Sequence, residues 1–98
     1  MATELNARND IAWANLGVGL GKLADIEQDD SRKRALLKDA CGRFQKASEL
    51  NEGNSDIWRN WGNCLDKLAE LEDDADCKQK LQEEARIKRK KADELEDK

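Results

Sequence analysis

The chain contains no proline, no histidine and no tyrosine, and only one phenylalanine. Without proline, nothing in the sequence forces a helix to kink or stop. Without histidine there is no side chain whose ordinary pKa lies near neutrality, and no imidazole to complete a zinc site with Cys41, Cys64 and Cys77. Those three cysteines are an odd number at wide spacings, forming neither a CxxC pair nor a disulfide framework, so they read as reduced thiols, buried or incidental. Also missing are a GxSxG elbow, a glycine-rich phosphate loop between strand and helix, and an acidic loop with EF-hand spacing. Carboxylates are plentiful, but none has a partner of matched type at matched spacing. The expectation is a protein that is not an enzyme and needs no cofactor and no metal.

Long apolar runs are absent as well. The longest stretch without a charge, Ile11 to Gly21, is far short of the roughly 20 residues that cross a bilayer. The opening residues, MATELNARND, lack the basic and apolar segments of a signal peptide. A soluble, cytoplasmic protein without membrane insertion is expected.

What the chain has in excess is charge: 41% of its residues are Asp, Glu, Lys or Arg, against roughly 25% in an average domain. The net charge is −4 with the two signs interleaved, so no one-signed field exists to attract nucleic acid. Its apolar residues are mostly Leu, Ala and Trp, the composition of exposed helices. At 98 residues the chain reads as a single domain, 1–98.

The organising feature is a repeat. Shifted by 45 positions, the sequence matches itself without a gap: Trp13, Asn15, Gly17, Leu20, Lys22, Leu23 and Ala24 recur as Trp58, Asn60, Gly62, Leu65, Lys67, Leu68 and Ala69. The match continues from Glu27, Asp29, Lys33, Leu36 and Ala40 to Glu72, Asp74, Lys78, Leu81 and Ala85, and on through Ala47 and Leu50 to Ala92 and Leu95. The chain is thus two copies of one unit, residues 9–53 and 54–98.

Within each copy the apolar residues step by three and four, the rhythm of one helical stripe. In the first copy these are Trp13, Leu16, Leu20 and Leu23, then Leu37, Ala40, Phe44 and Ala47. In the second they are Trp58, Trp61, Leu65 and Leu68, then Leu81, Ala85, Lys88, Ala92 and Leu95, with Lys88 in an otherwise apolar slot. Breaks are expected at 28–31, 51–55 and 73–76, where Asp, Asn and Ser offer N-caps and Gly53 is free to take the left-handed conformation after a helix end. Four helices of about 20 residues, each about 30 Å long, follow.

These spacings resemble the tetratricopeptide (TPR) repeat. The residues that carry the likeness are Trp13-x2-Leu16-Gly17-x2-Leu20, then Ala40-x3-Phe44-x2-Ala47-x2-Leu50, and Trp58-x2-Trp61-Gly62-x2-Leu65 in the second copy. Two departures are plain. Glu52 stands where that family usually has proline, and the repeat is 45 residues long rather than 34. The likeness fades in the last helix, where Phe44 is matched by Arg89. The resemblance implies an all-α fold of two antiparallel helical hairpins, four helices in a TPR-like right-handed array, with elongated helices and a polar final helix as a cap.

It also implies a function. In such arrays the first helix of each pair lines a concave face that binds an extended peptide or a partner helix. Carried over position by position, that face comprises Ile11, Ala14, Val18, Gly21 and Lys22 in the first copy, and Asp56, Arg59, Asn63, Asp66 and Lys67 in the second. The expectation is a groove that takes an apolar side chain beside Gly21 and hydrogen-bonds a peptide through Arg59 and Asn63. Arg59 and Asn63 also match the first pair of the family's clamp for a C-terminal carboxylate, but no third repeat follows to complete it. The competing expectation is structural: two repeats bury a face on one side only, so the unit dimerises or docks into a larger assembly.

The remaining motifs read structurally. A buried indole covers on the order of 150–250 Å², so Trp13, Trp58 and Trp61 are expected to pack inward. Gly17 and Gly62 would let the second helix of each hairpin approach closely, with Ala40, Ala47, Ala85 and Ala92 as the small facing residues. The basic run Arg86-Ile87-Lys88-Arg89-Lys90-Lys91 is flanked by acids on both sides, so i,i+4 pairing on a solvated helix is its default reading, with docking of an acidic partner as the alternative.

Overall fold

The computed structural model describes residues 9–97; the segment read above for a signal peptide lies almost wholly outside them. Four α-helices follow one another: α1 (Asp10–Ile26), α2 (Asp30–Leu50), α3 (Ser55–Leu71) and α4 (Ala75–Glu96). No strand occurs among the described residues. No helix there is long and apolar enough to cross a membrane.

Each helix starts where the sequence offers a cap, and the caps repeat. Asn9 accepts a hydrogen bond from the Ala12 backbone N–H at 3.1 Å, and its counterpart Asn54 accepts one from that of Asp56 at 3.0 Å. Asp29 caps α2 through the Arg32 N–H, and Asp74 caps α4 through those of Asp76 and Cys77. Glu27 and Glu72, just ahead of these caps, each accept the N–H of the capping aspartate at 3.1 Å. Donors that a helix start leaves unpaired are met by the same capping residues in both copies, two or three residues ahead. Gly53 departs from expectation: no described glycine has a positive φ, and α2 is followed by its C-cap Asn51, whose side chain takes the Gly53 N–H at 3.2 Å. That side-chain turn reverses the chain without a left-handed residue.

α1 packs along α2 and α3 along α4, two hairpins joined face to face through α2 and α3. The core follows that order. Leu37, Ala40 and Phe44 from α2 meet Ala24 of α1 and Cys64 and Leu68 of α3 in one apolar cluster. Ala40, Ala47, Ala85 and Ala92 are all fully buried, as small residues at a close helix crossing should be. A clasp recurs at the end of each hairpin: Asn51 donates to Asp10 at 3.1 Å, and Ser55 donates to Glu96 at 3.5 Å.

Two expectations about the core need correction. The tryptophans are only half buried, and the largest fully buried side chains are Phe44, Leu37 and Ile57. Leu16 and Leu23 lie in the apolar stripe of α1 yet are 53% and 52% exposed, whereas Leu68, the counterpart of Leu23, is 6% exposed. The reason is topological. α3 sits on α2, while no described helix precedes α1 to cover the same positions.

The glycines of the two hairpins have a clear role. A Cβ on Gly17 would come within 2.8 Å of the Phe44 ring, and one on Gly62 within 2.9 Å of the Arg89 Cγ and 3.0 Å of the Ala85 carbonyl oxygen. The close approach read from the sequence is real, but the group that fills it is residue 44 or 89 rather than the alanines alone. Arg89 therefore occupies the Phe44 slot. Its methylene stem lies over Gly62 and its guanidinium reaches out to Asp66, the snorkelling geometry of a long basic side chain.

Candidate functional site

α1 and α3 lie side by side over α2 and touch one another little, which leaves a cleft of about 240 Å³ between them. Its α1 wall is Gly17, Val18, Gly21, Lys22 and Asp25, its α3 wall Asn60, Asn63, Cys64 and Lys67, and Phe44 of α2 also lines it. The wall residues recur at helical spacing, so each helix presents one stripe to the opening. The cleft has free space beside Gly21, where a Cβ would meet nothing within 4 Å. At one end Lys67 bridges to Asp25 at 2.9 Å, joining the two hairpins across the cleft. The two lysines and two asparagine amides are donors, and the asparagines accept as well. Around a small apolar patch, such groups suit an extended main chain with one modest side chain.

The sequence-derived face divides. Val18, Gly21, Lys22, Asn63 and Lys67 line the cleft together. Ile11 is exposed in the first turn of α1, and Ala14 is partly buried against the core. Asp56, Arg59 and Asp66 are not among the cleft residues. Arg59 turns to α4 instead, donating to Glu96 at 2.7 Å, with Asp93 at 3.6 Å and Asp56 of its own helix at 3.8 Å. The hydrogen bond from Arg59 holds the Glu96 carboxyl below its ordinary value, and the same bond raises the guanidinium pKa. Asp66 is engaged by Arg89. Both residues thus act within the second hairpin, tying α3 to α4.

Five lining residues fall outside the face carried over by resemblance: Gly17, Asp25, Phe44, Asn60 and Cys64. Asn60 had a visible signal, since it is one of the repeated positions. Cys64 and Asp25 had none, because their partners Cys41 and Lys67 are distant in sequence.

The basic run of α4 is likewise divided by face. Arg86 is exposed and pairs with Glu83 at 3.3 Å. Lys88 turns inward, its ammonium 4.1 Å from the Trp61 ring centroid and 5.5 Å from that of Trp58, with the two indoles stacked at 5.5 Å. In the first hairpin Arg43, the counterpart of Lys88, lies 5.4 Å from the Trp13 centroid. A cation over an indole is therefore part of the repeat. It explains why Lys88 sits in an apolar slot and why the indoles remain partly exposed.

A second apolar surface lies on the outer side of α1, where Ala12, Trp13, Asn15 and Leu16 line an open depression. Among the described residues no group of three or more His, Cys, Asp or Glu side chains is placed to hold a metal. Compared with protein-family models, with curated proteins and with solved structures, the chain finds no significant match.

Proposed function

We propose that the chain is a two-repeat, TPR-like interaction module whose α1/α3 cleft binds an extended peptide segment of a protein partner. The observation that carries this reading is the cleft itself. Stripes from both hairpins converge on it, Gly21 leaves space for a side chain, and Asn60, Asn63, Lys22 and Lys67 ring that space with hydrogen-bonding groups. Extended peptides are held by such an arrangement through main-chain hydrogen bonds, with the pocket choosing the side chain. The repeat supports the TPR-like part of the reading, since caps, clasps, glycine contacts and indole–cation pairs recur one period apart. Arg59 then serves the second hairpin rather than a ligand, and Asn63 and Lys67 are the contact residues on α3.

Random-peptide display against the purified chain, followed by affinity measurement of the enriched peptides by fluorescence polarisation, tests the site. Gly21→Phe should weaken them at least tenfold and Asn63→Ala by a few-fold, while Arg59→Ala leaves them within twofold. Peptides bound equally well by Gly21→Phe would place binding elsewhere.

A second reading, self-association or docking into an assembly, is favoured by one observation: Leu16, Leu23 and Ile26 on α1 are 53%, 52% and 77% exposed. Such a patch on a small domain is a candidate interface. Light scattering at micromolar concentration separates the two. A dimer dissolved by Leu16→Ser with Leu23→Ser supports the structural role, and a monomer leaves the cleft as the working surface.

A further inference from the structure

We propose that Cys41 and Cys64 form a redox-active dithiol, which a low-molecular-weight disulfide entering the α1/α3 cleft oxidises to a cystine joining the two hairpins. The inference is independent of what else the cleft binds.

The two residues belong to different hairpins and are brought together only by the docking of α2 on α3. Cys64 is part of the central apolar cluster and Cys41 packs against it, near enough for each thiol to act on the other's ionisation. The repeat does not require cysteine at either position: the counterpart of Cys41 is Arg86 and that of Cys64 is Gly19. The pair thus lies where α2 of one half docks on α3 of the other.

Their surroundings differ in the way that attacking and resolving thiols differ. Cys64 lines the cleft close to Lys67. The hydrogen bond from Cys41 and the charge of Lys67 hold its thiol below the ordinary value, against burial and the opposing charge of Asp25. Cys41 is pushed up, chiefly by the same hydrogen bond and by burial, with Glu84 adding to the effect. Of the two, Cys64 is the thiol that meets a reagent in the cleft, which Cys41 does not line.

The chemistry is thiol–disulfide exchange. The Cys64 thiolate attacks one sulfur of RSSR, the S–S bond breaks, and a Cys64–S–S–R mixed disulfide forms as RS⁻ leaves and takes up the proton that Cys64 released. Cys41 then gives up its proton and attacks the Cys64 sulfur, expelling the second RS⁻, which is protonated in turn. In sum, two protein thiols and RSSR become one cystine and two RSH. The protein sulfurs are oxidised, and the small disulfide is reduced. The new bond closes the chain between residues 41 and 64 across α2 and α3, removing unfolded-state freedom and fixing the hairpins to one another.

The test uses the full chain carrying Cys77→Ser, which removes the exposed free thiol of α4, incubated at neutral pH with glutathione disulfide and read by intact mass and non-reducing peptide mapping. The expected product has lost two hydrogens, maps to Cys41–Cys64 and melts about 10 °C or more above the reduced form. Adding Cys41→Ser should stop the reaction at one glutathione on Cys64, and adding Cys64→Ser should leave Cys41 unmodified. Circular dichroism confirms that each variant keeps its helices; where one does not, the mapping on the Cys77→Ser chain decides alone. Persistence of the dithiol in excess glutathione disulfide, or glutathione appearing on Cys41 rather than Cys64, overturns the proposal.

Discussion

The two hairpins share a backbone plan and fill it with different chemistry. In the first, Gly17 faces the Phe44 ring and Gly21 leaves the next turn open. In the second, Gly62 faces the Arg89 stem, and Asp66, one period after Gly21, receives the guanidinium. Phenylalanine with glycine has thus been exchanged for arginine with aspartate, and the helices still approach closely. The first hairpin carries one indole under a cation, Trp13 with Arg43; the second carries a stacked pair, Trp58 and Trp61, under Lys88. A repeat position constrains volume and reach more tightly than polarity. A long basic side chain meets that constraint with its methylenes, provided a carboxylate waits at the surface. This is how the very polar α4 packs against α3 at all.

The comparison can be broken most directly at the two equivalent fillers. Phe44→Ala should cost about 3–5 kcal/mol in urea denaturation, because the ring is buried at the centre of the apolar cluster. Arg89→Ala should cost no more than about half of that, since its head is in partial contact with water. Equal losses would show that the second hairpin depends on its stem as much as the first depends on its ring.

The glycines sharpen the contrast further. Gly62→Leu places a side chain against the Ala85 backbone carbonyl and should cost about 1–3 kcal/mol of overpacking. Gly21→Ala, with open space around the new methyl, should instead stabilise by about 0.5–1 kcal/mol through helix propensity. Melting curves of the two variants must therefore move in opposite directions. Lys88→Ala and Arg43→Ala should each lose about 0.5–1 kcal/mol of cation–π attraction. Lys88→Ala should change the fluorescence emission more, since two stacked indoles share its charge.

The smallest effect is electrostatic and confined to the second hairpin. The folded-state pKa of Glu96 is depressed by the hydrogen bond from Arg59. The contribution of this pair is therefore present above the unfolded-state value and lost as pH falls through the folded value. Both groups are solvent-exposed, so the effect should be visible mainly in a pH titration of the Glu96 side chain by NMR. Arg59→Ala should return that titration to the ordinary glutamate range. The first hairpin has Ala14 and Asn51 at the matching positions and so has no counterpart of this ion pair.

Much of the fold was legible in the residues. The steps of three and four placed the stripes, Asp29, Asn54 and Asp74 marked helix starts, and the 45-residue period named the equivalent positions. Gly17 and Gly62 were identifiable as contact points. The candidate site was legible in part: Val18, Gly21, Lys22, Asn63 and Lys67 reach the cleft, while Arg59 and Asp66 are drawn to α4 by Glu96 and Arg89. An arginine between two faces of a helix goes to whichever carboxylate lies nearer, and the spacing along α3 contains nothing about where α4 ends.

The local plan is written in the residues: an all-α chain, four helices, their caps and the duplication. Those properties depend on residues within a turn or two of one another, so periodicity and cap chemistry are sufficient. The tertiary structure alone decided what lies opposite what. It exposed Leu23 and buried Leu68, turned Lys88 and Arg89 inward, opened a cleft at Gly21, and set Cys41 beside Cys64. Each of these depends on helices far apart in the chain docking at a particular face, a constraint that no local pattern encodes.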